Sequence, residues 1–99
     1  MTVTQFTRFS GGTRDSMVAV ARKAKAMQEK AGAEMFRVSR FHTGPWAGQW
    51  LVVARYPDWA TYGRAMDTLT GDPAWHAILT EVTGFAKLEG RTVLTGVEL

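Results

Sequence analysis

His42 and His76 are the only imidazoles in this 99-residue chain. An imidazole is the side chain whose proton changes hands near neutral pH, so each is a candidate general base or ligand contact. His42 closes a strand-like run and sits beside the turn Thr43-Gly-Pro-Trp-Ala-Gly48. The competing role is a strand-end histidine bonded to backbone or water. His76 follows Trp75 in the first turn of a helical segment. The helix dipole disfavours the charged form there, leaving a neutral imidazole that could take a proton. The competing role is a half-buried surface histidine. Around these lies a mixed polar and aromatic set: Arg37, Ser39 and Phe41 on one strand-like run, Trp50 and Tyr56 on the next, and Trp46 in the turn between them. Such a wall suits a small ligand; it equally suits a wet dimer interior. Trp46 is large enough to lid a pocket or to pack on a partner.

Composition removes several chemistries. There is no Cys, which excludes disulfides, thiolate nucleophiles and cysteine-based metal or iron–sulfur sites. Two separated histidines do not make a structural zinc site. No P-loop, dinucleotide fingerprint, nucleophile elbow or His-carboxylate metal motif occurs. The acids Glu34, Asp58, Asp67, Asp72, Glu81 and Glu89 are scattered, and two of them have the placement of helix caps. No cofactor is implied. Net charge is +3, and Arg14, Arg22, Lys23, Lys25 and Lys30 fall in one helical segment. Without interleaved aromatics or a basic tail, these residues read as a solvated helix face rather than a nucleic-acid surface. No apolar run approaches the ~20 residues of a membrane span, and no secretory signal precedes the first strand. The expectation is a cytoplasmic protein with neither nucleic acid nor membrane as partner.

Ninety-nine residues make one domain, residues 1–99, with a thin core. Thr2 to Phe9 reads as a strand. Thr13 caps a helix from Arg14 to Ala31, whose apolar stripe is Met17, Val20, Ala21, Ala24, Met27 and Ala31, with Gly32 as its stop. Glu34 to His42 alternates as a second strand, with Arg37, Ser39 and Phe41 on one side. Gln49 to Tyr56 is a third strand, apolar on both faces. Asp58 and Asp72-Pro73 start two helical pieces separated by Gly71, carrying Trp59, Tyr62, Met66 and Leu69, then Trp75, Ile78, Leu79 and Val82. Phe85 to Gly90 reads as a connection, and Arg91 to Leu99 as the last strand.

This order is βαββαβ with a broken second helix, an α+β ferredoxin-like sandwich with a four-stranded antiparallel sheet. Two functions of that topology fail on their motifs. Gly48 to Tyr56 lacks the basic-glycine-aromatic pattern of an RNA-recognition strand. An acylphosphatase-like enzyme needs a catalytic Asn, and the chain has no Asn.

Three segments, Gly44-Pro-Trp-Ala-Gly48, Tyr56-Pro-Asp-Trp-Ala-Thr-Tyr-Gly63 and Gly71-Asp-Pro-Ala-Trp-His76, resemble those of the dimeric α/β-barrel superfamily. The likeness is to NIPSNAP-like and antibiotic-biosynthesis-monooxygenase-like small proteins. The resemblance implies a homodimer closed sheet to sheet, burying the Trp50/Val52/Ala54 face. It also implies a site for a small, partly apolar or aromatic molecule, in some members with cofactor-independent oxygenase or haem-degrading activity. The oxygenase constellation leans on an Asn that is missing here; Gln5, on the first strand, is an amide that could substitute for it. Two functions therefore follow: a homodimer that binds, and can act on, a small molecule without a cofactor, or a non-catalytic structural or regulatory dimer module.

Overall fold

The computed structural model describes residues 1–99. Its elements are β1 (Val3–Ser10), α1 (Arg14–Ala31), β2 (Met35–Arg40), β3 (Trp50–Tyr56), α2 (Trp59–Thr70), α3 (Pro73–Thr83) and β4 (Lys87–Thr95). The four strands form one antiparallel sheet in the order β2-β3-β1-β4, which is the ferredoxin-like arrangement. The three helices start where their capping residues direct. Thr13, Asp58 and Asp72 accept hydrogen bonds from the first-turn amides of Ser16, Thr61 and Ala74, satisfying donors that have no partner inside the helix. Gly71 separates α2 from α3, as its sequence position implies.

All three helices lie on one face of the sheet. The molecule is only 17 Å through its shortest axis, room for one sheet and one layer of helices spaced ~10 Å apart. Strand alternation then sorts the residues. Val3, Gln5, Thr7 and Phe9 of β1 are buried beneath the helices, while the residues between them are half-buried. Trp50, Ala54 and Tyr56 of β3 join Met17, Val20 and Ala24 of α1 and Ile78 and Val82 of α3 in the core.

Four expectations need correction. The Trp50/Val52/Ala54 face packs on the helices, so the face without helices is the other one, with Leu51 and Val53. Both faces of β3 are apolar, and periodicity alone cannot say which of them meets the helices. Trp59, whose spacing with Tyr62, Met66 and Leu69 puts it on an apolar helix stripe and so in the core, is instead 52% exposed and lies edge-on to Tyr62. β4 begins at Lys87 and ends at Thr95, four residues earlier at each end than Arg91–Leu99. Lys87-Leu-Glu-Gly90 has weak strand propensity, and its pairing with β1 includes a register shift between Arg8 and Phe9. A bulge of this kind interrupts the alternation that marks a strand in sequence. β2 is shorter than Glu34–His42 because its chain leaves the ladder for the turn, where Gly44 and Gly48 take φ +88° and +87°. Those are left-handed values that glycine adopts without a side-chain clash.

Met17 is 1% exposed at the centre of the core. Met17→Ala is expected to cost about 2–4 kcal/mol, a large share of the stability of a domain this size. Urea unfolding followed by circular dichroism measures it.

Candidate functional site

Between the sheet and the helices runs a cleft with about 60 Å³ of free interior volume. Its floor is the helix-facing side of β1 and β3; its walls are α1 and α3. Most of its lining is apolar, including Phe9, Met17, Val20, Phe36, Ala54, Trp75, Ile78 and Leu79. Four polar residues interrupt it: Gln5 and Thr7 from β1, Gln28 from α1, and Arg91 from β4. Arg91 pairs with Thr7 across the sheet and is itself exposed, which puts it at the rim.

The two glutamines are held by two tyrosines. The Tyr56 hydroxyl donates to Gln28 Oε1, and the Tyr62 hydroxyl donates to Gln5 Oε1 at 2.7 Å. The tyrosine rings meet edge to face with centroids 5.4 Å apart, so the two bonds belong to one cluster. Burial, and secondarily the neighbouring Tyr62, pushes the Tyr56 phenol up to about 12. It therefore stays protonated, and a donor, throughout the ordinary pH range. Gln28 is only 4% exposed and Gln5 8%. Gln28 continues the α1 stripe of Met17, Val20 and Ala24. Its sequence signal was positional: a polar residue four after Ala24, on the buried side.

The residues expected to form one wall are split between the two faces of the sheet. Trp50 is buried on the helix side, where its indole N–H donates to the Gly11 carbonyl at 3.1 Å and the Arg40 guanidinium lies over its ring at 4.8 Å. Tyr56 is on that side also. Arg37 and Ser39 pair with Val53 and Leu51, so they share the open face with them. Phe41 and Trp46 meet edge to face, centroids 5.6 Å apart, at one end of that open face. The Arg8 guanidinium covers the Trp46 ring at 4.3 Å and donates to Gln49 Oε1 at 2.6 Å. Arg8 and Gln49 were not legible as site residues, because they approach only through the β1–β3 pairing. Ser10 donates to Glu89 at 2.7 Å. This bond, with the charges of Lys87 and Arg8, holds the Glu89 carboxyl below its ordinary value.

Neither histidine reaches the cleft. His42 is exposed beside the turn. His76 Nε2 lies 2.5 Å from the Thr70 carbonyl; a carbonyl only accepts, so that nitrogen carries the proton. Its bond ties the start of α3 to the end of α2. No group of three or more His, Cys, Asp or Glu side chains converges to hold a metal ion. No helix is long and apolar enough to cross a membrane. A shallower depression of about 290 Å³ lies between α1 and β2, lined by Arg22, Lys25 and Arg37 among others. It is the larger space, but its cations stand in solvent, where an ion gains little.

No family profile matches the sequence, and no curated protein matches it. Solved structures do match. SnoaB, a cofactor-independent oxygenase from Streptomyces nogalater, is 17% identical over 99% of this chain and 95% of its own, with TM-score 0.69. A NIPSNAP family protein from Agrobacterium tumefaciens is 13% identical over 99% and 95%, with TM-score 0.70. A protein from Chloroflexus aurantiacus classed with the antibiotic biosynthesis monooxygenases is 12% identical over the same shares, with TM-score 0.68. This chain has their ferredoxin-like fold. Both groups that the turn and helix-start segments resemble are thus among its structural neighbours. At such identities the likeness is one of fold.

Tyr56 gives a pH test of the buried pair. Its folded pKa lies above the unfolded value of 10.0, so its contribution to stability is whole below pH 10 and is lost as pH rises through about 12. The urea midpoint should fall more steeply across that window in the wild type than in Tyr56→Phe. Parallel curves would mean that the phenol is not held by its surroundings.

Proposed function

We propose that this chain works as a homodimer whose copies pair through their open sheet faces, each holding a small, partly apolar molecule in the cleft between sheet and helices. The observation that carries the dimer is the open face itself. Phe6, Leu51, Val53 and Leu94 share it by strand alternation; no helix covers it, although neighbouring side chains leave Val53 only 9% exposed. The accessible surface is 6117 Å², against roughly 5,600 Å² expected of a monomer of 11.0 kDa. The surplus is of the size an uncovered sheet face would leave. Four strands spaced ~4.8 Å, about seven residues long at ~3.3 Å each, span roughly 450 Å² in projection. Side-chain relief and the Phe41/Trp46 rim bring that toward the ~800 Å² per partner of a stable interface.

Binding rather than turnover is the better supported role for the cleft. Its lining contains no imidazole and no carboxylate, the groups that most often move protons in catalysis. Its interior volume is below the ~300 Å³ typical of drug-sized sites, which favours a compact ligand.

Light scattering at micromolar concentration should give a dimer mass. Leu51→Arg places a charge on the open face, beside Arg8, without touching the helix-side core. It is expected to weaken the dimer at least tenfold while leaving the circular dichroism spectrum unchanged. A wild-type monomer under these conditions contradicts the proposal.

A further inference from the structure

Three buried polar groups in the cleft have capacity that the protein itself does not use. Gln5 and Gln28 each accept a tyrosine hydroxyl proton at Oε1, and neither amide nitrogen has a hydrogen-bond partner within the chain. The Thr7 hydroxyl, on a residue 6% exposed, has none either. None of these atoms is sealed off, since no fully enclosed side-chain nitrogen or oxygen lacks a partner. They are therefore accessible from the cleft that their residues line. An amide whose oxygen is already engaged offers its N–H groups outward. With both amide oxygens on the tyrosine hydroxyls, the amide nitrogens of Gln5 and Gln28 lie on the far side from the tyrosines. Arg91 adds a guanidinium at the rim, a group that only donates. The polar part of this apolar cleft is donor-rich and cationic, with no carboxylate to balance it.

We propose that the cleft selects a small apolar molecule bearing an anionic oxygen, a carboxylate or an enolate-like oxygen, received by the Gln5 and Gln28 amide N–H groups with Arg91 at the rim. This rests on the binding role proposed above for the cleft and names the class of ligand for it. Donors lining a water-poor site favour a charged acceptor over a neutral one. An ammonium in the same place would face two amide N–H groups and a guanidinium, with only the Thr7 hydroxyl left to accept from it and no anion.

The test is an NMR titration of the full-length chain, labelled at methionine methyls and glutamine side-chain amides, with propionate, 1-propanol and propylamine at millimolar levels, probes small enough for a cleft of about 60 Å³. Propionate should move the Met17 methyl and the Gln5 and Gln28 side-chain amide signals saturably; propylamine should not. Arg91→Gln, an exposed change that leaves the core intact, should weaken propionate about two- to fivefold and leave propanol unchanged. Equal binding of propylamine and propionate overturns the proposal. So does a propionate response at Met17 with silent glutamine amides. Binding of propanol alone also overturns it while leaving the cleft as a binding site. If none of the three probes moves the Met17 methyl, the binding role of the cleft fails, and the ligand class fails with it.

Discussion

One layer of helices can cover only one face of a sheet, and the rest of this molecule follows from which face that is. The choice falls on the side of Gln5, Thr7, Trp50, Ala54 and Tyr56. Aromatic bulk explains it: Trp50 and Tyr56 are the largest side chains of β3, and each has a polar tip that needs a partner once buried. Gly11 supplies one and Gln28 the other. The opposite face has smaller aliphatic groups and long cations that tolerate partial exposure. Arg55 pairs with Glu34 at 2.9 Å, and Arg8 lies across Trp46. The two faces thus have different roles. One holds the core and the cleft; the other is left uncovered by the helices.

The same constraint puts polar amides inside. A buried glutamine without partners is costly, and an aliphatic residue at position 28 would pack more simply against Val20 and Ala24. Tyr56 and Tyr62 offset half of that cost by bonding the amide oxygens. The nitrogen side of each amide stays uncompensated by protein. The histidines, by contrast, stand outside: His42 by the turn and His76 on the Thr70 carbonyl.

Much of the fold was legible from local signals. Thr13, Asp58 and Asp72 announced the three helix starts, and Gly71 the break between α2 and α3; each acts within a few residues of itself. The α1 boundaries, Arg14 and Ala31, follow from cap and glycine stop alone. Facing was not legible for β3, because alternation gives two sets and assigns neither to the helices when both are apolar. The start of β4 was hidden by its bulge and its charged edge residues. Of the site, Gln5 was noticed as an amide, but its bond to Tyr62 spans 57 positions in sequence and depends on the assembled sheet. Gln28 was not legible, because its neighbours on the stripe are apolar and its own polarity argues for solvent.

The claim on which the account most depends is that the open face, and not the helical face, meets a second copy. Isotope-filtered NMR on a mixture of labelled and unlabelled chain tests it directly. Intermolecular contacts should connect the Leu51 and Val53 methyls of one copy with the Phe6 ring of the other, and the exposed surfaces of α1 and α3 should show none. Contacts confined to the helices, or no intermolecular contacts at all at millimolar concentration, would contradict it.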